Sequence, residues 1–319
     1  MMMSRLLDLR RVRVAVVGHP ATNVMTFDLE EADGRALAPF SPGAHIDVQV
    51  PGGPVRQYSL CGKAVALGTY TIAVKKEPQS RGGSSGIHER IGVGTLLSIG
   101  SPRNHFPLAP GDHPTLFIAG GIGITPITAM VTALAEEKRA WALHYCARSE
   151  HHAAFYHELA KLAPERVHAY FSDTPILDVD ALVSRQSLDT HIYSCGPKPL
   201  MEAVARATSS WPPEQVHFEW FSAAQHDAGQ NTTFEIELAR SGVVLTVPPD
   251  RTILEVLRDN GHHINSACEQ GVCGTCETVV ISGEPEHRDT LLSAEERAAN
   301  KTMMICVSRA RTPRLRLQL

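Results

Sequence analysis

Cys268-Glu269-Gln270-Gly271-Val272-Cys273-Gly274-Thr275-Cys276, with Cys306 after twenty-nine further residues, is the stretch that decides the reading of this chain. The spacing C-x4-C-x2-C followed by a distant fourth cysteine is that of a plant-type [2Fe–2S] site, in which four thiolates hold two irons. Gly271 and Gly274 predict a loop that curls, so that backbone N–H groups can point at the cluster sulfurs and favour its reduced, more negative state. A four-cysteine zinc site, the alternative, favours two C-x2-C knuckles. Only one is present, so iron–sulfur is the better account, with Cys268, Cys273, Cys276 and Cys306 as ligands. Such a cluster takes one electron at a time, so the chain must contain or meet a donor.

The rest of the composition narrows the class. The chain has 319 residues, 43% hydrophobic and 20% charged, which suits two or three globular domains. Thirty Lys and Arg against thirty-four Asp and Glu give a net charge of −4, which argues against nucleic-acid binding. Cys61, Cys146 and Cys195 are scattered singly, and a disulfide framework is not expected in a chain of this size without an export signal. Residues 115–135 carry no charge and are long enough to span a bilayer. Their centre, Gly120-Gly121-Ile122-Gly123-Ile124-Thr125-Pro126, reads better as a buried strand, a turn and a helix. Met1 to Arg13 has no apolar run of signal-peptide length, so the expectation is a soluble, cytoplasmic protein with no membrane contact.

Three blocks follow from periodicity. Residues 1–110 contain short strands (Val12–Val17, Ala44–Val50, Tyr70–Val74) punctuated by Gly and Pro, which predicts an antiparallel β-barrel. Residues 111–222 alternate apolar strands (Leu116–Ala119, Trp141–Tyr145, His191–Cys195) with helical patterns from Pro126, Ala153 and Pro199, which predicts an α/β domain with a parallel sheet. A polar linker is expected over 223–232. Residues 233–319 carry two strands (Phe234–Leu238, Val243–Val247), a helix from Thr252 to Asp259 ended by Asn260-Gly261, and the cysteine loop.

Two turns suit a nucleotide. In the first, Thr125 is expected to cap the helix and Pro126 to sit at its first position, leaving unpaired N–H groups for a pyrophosphate. Pro126 stands where a strict G-x-G-x-x-G would have its third glycine, so taken singly the turn could serve packing only. The second turn, Cys195-Gly196-Pro197-Lys198, also ends a strand and opens a helix. In a parallel sheet both lie at the carboxyl edge where nucleotides bind. No strongly basic cluster follows the Trp141–Tyr145 strand, although Arg148 is near, which favours NADH over NADPH. In the first block, Arg56-Gln57-Tyr58-Ser59 sets a cation and an aromatic ring on one face of a strand, with Ser59 pointing away unless the strand bends. Arg81-Gly82-Gly83-Ser84-Ser85-Gly86 has the composition of an anion nest. Together they suit a flavin mononucleotide, although each has a bland reading as surface strand or flexible loop.

On these motifs the chain resembles the phthalate dioxygenase reductase family, which includes vanillate demethylase reductase subunits, over nearly its whole length. The family's R-x-Y-S motif matches Arg56, Tyr58 and Ser59; its R-G-G-S loop matches Arg81, Gly82, Gly83 and Ser84; its A-V-K strand matches Ala73, Val74 and Lys75. G-G-I-G-I-T-P matches through Gly120, Gly121, Gly123 and Thr125, and C-G-P matches Cys195, Gly196 and Pro197. An aromatic residue near the flavin falls on Phe221, although Trp220 departs from the family's pattern.

The resemblance implies an FMN barrel, an NADH domain and a β-grasp ferredoxin domain in that order. It implies hydride transfer from NADH to FMN beside Cys195, Thr125 and Ser59, then single electrons through the cluster to a separate Rieske-type non-haem iron oxygenase, with the reductase a monomer. No C-x-H Rieske pair is visible, and the adjacent pairs His151-His152 and His262-His263 diverge rather than converge on a metal. The alternatives are an NADH-dependent oxidoreductase acting directly on a small molecule or oxygen, and a zinc-stabilised interaction protein.

Overall fold

The computed structural model describes residues 9–62, 68–78, 80, 82–221, 231–262, 264–266, 269, 271–272 and 274–319. Arg81, Cys268, Cys273, His263 and most of the expected linker lie outside the described residues. The chain divides into two compact units, Met1–Glu219 and Trp220–Leu319.

The first unit opens with β1 (Arg10–Ala21), β2 (Val24–Glu31), β3 (His45–Gln49), β4 (Val55–Ser59), β5 (Thr69–Lys75), α1 (Ser84–Arg90) and β6 (Leu96–Ile99). Their pairings are all antiparallel, in the order β4-β3-β6-β1-β2-β5. The two edges meet where Leu60, just past β4, bridges Ile72 of β5, so the sheet closes into a barrel. Alternate residues Val12, Val14, Phe27, Leu29, Ile46, Val48, Ile72 and Val74 fill its interior. Gly52, in the left-handed region at φ 63°, makes the Pro51–Pro54 turn that joins β3 to β4.

The same unit continues with β7 (Thr115–Gly120), α2 (Ile124–Glu136), β8 (Trp141–Cys146), α3 (Tyr156–Leu162), β9 (Val167–Tyr170), α4 (Val179–Ser184), β10 (His191–Cys195), α5 (Lys198–Ala207) and β11 (Val216–Glu219). These strands are parallel, in the order β11-β10-β7-β8-β9. Every residue of β7 is buried, as a central strand covered on both faces requires, and nine residues of α2 are buried against it. That accounts for the charge-free stretch 115–135, and among the described residues no helix is long and apolar enough to cross a membrane. The chain winds from β7 to β9 on one side and returns through β10 on the other, so the switch in strand order lies between β7 and β10. One apolar cluster joins barrel residues Val24, Cys61 and Ala73 to Ile124, Ile127, Tyr193 and Cys195.

One expectation fails locally. Helix α2 starts at Ile124, after a short 3-10 turn over Gly121–Gly123, and Gly123 is its N-cap. Thr125 lies inside the helix, 2% exposed, and its Oγ1 donates to Ile122 O at 2.9 Å. The 3-10 turn already satisfies the first amides, so no side-chain cap is needed and Pro126 falls at the third helical position.

The second unit contains β12 (Phe234–Leu238), β13 (Val244–Val247), α6 (Ile253–Asp259), β14 (Glu277–Ser282), β15 (Pro285–Glu286), α7 (Ala294–Ala299), β16 (Thr302–Met304), β17 (Arg309–Ala310) and β18 (Arg314–Leu317). Its mixed sheet runs β13-β12-β18-β14-β16, with β12 and β18 parallel at the centre, the arrangement of a β-grasp. Ile253, Leu254 and Leu257 of α6 share one apolar cluster with Phe234, Ile236, Leu315 and Leu317 of the sheet. Thr252 and Glu255 form a capping box at the start of α6, and Gly261 at φ 78° follows its end.

Candidate functional site

Register pairing sets Arg56 opposite Val48 and Tyr58 opposite Ile46 on the barrel wall. A Cβ on Gly83 would stand 3.0 Å from Arg56 Cγ and 3.1 Å from its Nε. The glycine therefore lets the 82–84 loop lie directly along the guanidinium arm, and the two motifs expected to hold one phosphate do meet. Gly82 adopts φ 82°, a left-handed turn residue. Ser84 opens α1, with its Oγ accepting from Glu77 N at 3.1 Å. A guanidinium lying against a glycine loop suits a phosphate. Desolvation holds the Tyr58 phenol well above its ordinary range, with a smaller opposing effect from Arg56, so the ring is neutral. Ala73 and Val74 are buried in β5, while exposed Lys75 pairs with Glu77 at 3.0 Å.

The two nucleotide turns are packed backbone to backbone. A Cβ on Gly123 would lie 2.2 Å from Cys195 O, and one on Gly196 would lie 2.9 Å from Gly120 N. A Cβ on Gly120 would meet Pro197 Cδ at 2.5 Å. Only glycine fits at these positions. Gly121, at φ 53°, turns its carbonyl to accept from Tyr145 OH at 3.0 Å. The carboxyl ends of β7 and β10 are thus fused into one floor at the switch point.

Three side chains converge beside that floor. Cys195 is fully buried and pairs in register with Glu219 of β11. Ser59, 5% exposed at the end of β4, donates from Oγ to Glu219 Oε2 at 3.5 Å. Burial, and secondarily Glu219, hold the Cys195 thiol far above its ordinary value, so it is a neutral thiol. Glu219 is half-buried, and desolvation of its carboxyl pushes it up to about 8, with the Ser59 hydroxyl opposing. Barrel and nucleotide sheet therefore meet at a serine, a thiol and a carboxyl that retains its proton near neutrality. Sequence reasoning placed Ser59 and Cys195 but passed over Glu219. Its signal was a single acid in an otherwise apolar strand end, Phe218-Glu219-Trp220.

In the second unit, Cys276 and Cys306 are 3% exposed each, at the ends of neighbouring strands β14 and β16. Gly271 at φ 69° and Gly274 at φ 74° both adopt the left-handed conformation that glycine favours. Two buried cysteine sulfurs beside such a glycine-bearing loop fit a cluster bound by soft sulfur donors. Phe221 is 39% exposed. Among the described residues no three His, Cys, Asp or Glu side chains converge on a further metal position.

The chain matches the family model of the oxidoreductase NAD-binding domain over residues 117–206 and that of the 2Fe-2S iron-sulfur cluster binding domain over 236–311. It is 44% identical over 310 residues to phenoxybenzoate dioxygenase subunit beta of Ectopseudomonas oleovorans, covering 97% of each chain. The solved structure of phthalate dioxygenase reductase superposes with a TM-score of 0.76 at 37% identity, over 98% of both chains. The chain belongs to the phthalate dioxygenase reductase family. As a member it is an NADH-dependent flavin iron–sulfur oxidoreductase, the electron-transfer component of an oxygenase system, with FMN, a [2Fe–2S] cluster and NADH as cofactors. An intact type IV self-sufficient cytochrome P450 monooxygenase also superposes, with a TM-score of 0.87 at 38% identity; this reductase spans 43% of that chain.

Proposed function

We propose that this reductase serves a separate Rieske-type non-haem iron oxygenase acting on an aromatic acid or similar small molecule, and that it works as a cytoplasmic monomer. In this reading residues 1–110 bind FMN, 111–222 bind NADH, 223–232 link, and 233–319 bind the cluster. When bound, FMN would supply the conversion of NADH's electron pair into single electrons for the [2Fe–2S] centre.

The chain's own residues have these roles. Arg56 and Arg81, with Gly82, Gly83 and Ser84, would hold the FMN phosphate, and Tyr58, Ser59, Ala73, Val74 and Lys75 would flank its ring and chain. Gly120, Gly121, Gly123 and Thr125, with Gly196 and Pro197, would seat the nicotinamide nucleotide over the fused turns. Cys195 supplies a neutral, water-excluding wall there, and Ser59 orients the Glu219 carboxyl. Cys268, Cys273, Cys276 and Cys306 would ligate the cluster. Near-full-length similarity to reductases of dioxygenase systems best supports the partner class, and the convergence of Ser59, Cys195 and Glu219 at the junction of barrel and sheet supports the flavin and nicotinamide roles.

The superposition on a cytochrome P450 fusion favours a second partner class, a haem monooxygenase. The test is reconstitution: NADH-driven turnover with a Rieske oxygenase and its aromatic acid, beside the same assay with a P450 domain. Turnover with the Rieske component supports the proposal, and turnover with the P450 alone overturns it. NADH-driven reduction of a quinone at full rate without either partner would support direct action on a small molecule.

A further inference from the structure

The segment 287–290 braces the cysteine loop. Thr290 N donates to Gly271 O at 3.0 Å, and a Cβ on Gly271 would fall 3.0 Å from Asp289 Cα and 2.6 Å from Val307 Cγ2, next to Cys306. Arg288 N donates to Ser308 Oγ at 3.2 Å, so the segment also ties down the chain just after the fourth cysteine.

Within this brace two buried polar atoms face each other without a hydrogen-bond partner: His287 Nδ1 and Asp289 Oδ1, 3.8 Å apart, on side chains 8% and 0% exposed. Their other polar atoms are engaged. His287 Nε2 is 3.2 Å from Asn300 Oδ1. An amide oxygen only accepts, so Nε2 carries the hydrogen in the assigned network. Asp289 Oδ2 accepts from Leu291 N at 3.1 Å and Leu292 N at 2.9 Å. With Nε2 carrying a hydrogen, a ring without a second one would point a lone pair at the carboxylate, an arrangement that costs free energy in a buried place and that a single proton would convert into a charge-assisted hydrogen bond. The other charged groups close to the pair are three arginines and one glutamate. Arg297 of α7 donates to Asp289 O and lies 3.9 Å from Asp289 Oδ2; Arg288 pairs with Glu286 at 2.8 Å; and Arg309 is in register with Glu286.

We infer that His287 and Asp289 are a positioning pair for the electron-exit step: His287 Nδ1 takes up one proton as the cluster gains one electron, and Asp289 holds it. The inference rests on the cluster assignment above. The electron comes from NADH by the established activity and the proton from solvent; no bond to the cluster forms or breaks. When the electron passes to the acceptor, the proton returns to solvent. The added electron is a negative charge beside a low-dielectric brace, so it strengthens proton binding, and by linkage the proton strengthens electron binding by the same factor. The pair thereby keeps the cluster's potential high enough to receive electrons and ties its release to proton loss.

The test is the midpoint potential of the cluster in the full-length holoprotein, followed by EPR of the reduced centre between about pH 5.5 and 8.5, the range in which imidazoles titrate. The wild type is expected to lose potential as pH rises, and a tenfold coupling corresponds to about 59 mV for one electron. His287→Gln keeps an amide donor toward Asn300 and cannot titrate, so its potential is expected to be flat; Asp289→Asn, which can still accept from Leu291 and Leu292, is expected to weaken the dependence at least threefold. A flat wild-type potential overturns the inference, as does an unchanged slope in His287→Gln. If His287→Gln does not fold, the wild-type slope and Asp289→Asn still decide. A normal EPR signal with a flat potential defeats only this inference, whereas a wild type with no cluster signal defeats the cluster assignment itself.

Discussion

Gly123→Ala tests how the nucleotide floor works. The new methyl carbon would sit 2.2 Å from Cys195 O, 2.5 Å from Cys195 C and 2.8 Å from Gly196 N, all backbone atoms that cannot rotate away. Ordinary contact begins at roughly 3.4 Å, so the two turns must part by about 1 Å. A displacement of that size at a group that orients reactants is expected to cost about 100-fold in rate. Gly196→Ala meets Gly120 N at 2.9 Å, a much smaller overlap, and is expected to cost closer to about 10-fold. Gly92→Ala, with open space around its Cβ, is the control. The assay is anaerobic stopped-flow bleaching of the flavin at saturating NADH, on variants whose flavin content and circular dichroism match the wild type. A folded Gly123→Ala protein within about threefold of the wild-type rate would refute the claim that turn-to-turn packing positions the nicotinamide.

Further outcomes follow from the same geometry. Glu219→Gln is expected to flatten part of the pH dependence of thermal stability. The folded carboxyl, raised to about 8, favours the protonated form, so its contribution is full below the ordinary carboxyl range and is lost as pH rises toward about 8. At 1.36 kcal/mol per unit its ceiling is about 5 kcal/mol, reduced to the extent that water reaches the group. Melting curves from about pH 5 to 9 check this, and identical slopes in the two proteins would contradict it. Arg56→Ala removes a charge-assisted contact worth roughly 1.5–3 kcal/mol, so FMN affinity should fall about 10- to 100-fold by fluorescence titration. Cys306→Ser should abolish the iron–sulfur absorbance while NADH still bleaches the flavin; loss of both in a folded, flavin-loaded protein would contradict separate centres.

Most of the architecture was legible because its signals are local. Period-two runs gave β1, β3 and β5, and strand–helix alternation gave the parallel sheet. Cysteine spacing pointed to the cluster loop with no need of tertiary information. The start of α2 was not legible in the same way. Thr125-Pro126 reads as a cap and first turn, but the 3-10 turn at Gly121–Gly123 took over the capping and moved the helix start two residues earlier. Gly120, Gly123 and Gly196 looked like phosphate glycines, and the structure adds a reason that no one-dimensional pattern carries, the contact of two turns more than seventy residues apart in sequence. Glu219 escaped for a related cause. Its carboxyl is shifted by desolvation and a serine from a different sheet, and neither can be seen in Phe218-Glu219-Trp220 itself.

The central claim is an internal route for electrons from NADH through FMN to the [2Fe–2S] centre. Anaerobic titration of the purified protein with NADH, followed by visible absorbance and EPR together, tests it most directly. The account predicts a flavin band over a broad iron–sulfur absorbance, both bleaching, with the EPR signal of a reduced [2Fe–2S] cluster appearing. A protein that stays colourless after reconstitution, or a flavin that bleaches while the cluster remains oxidised, would contradict it.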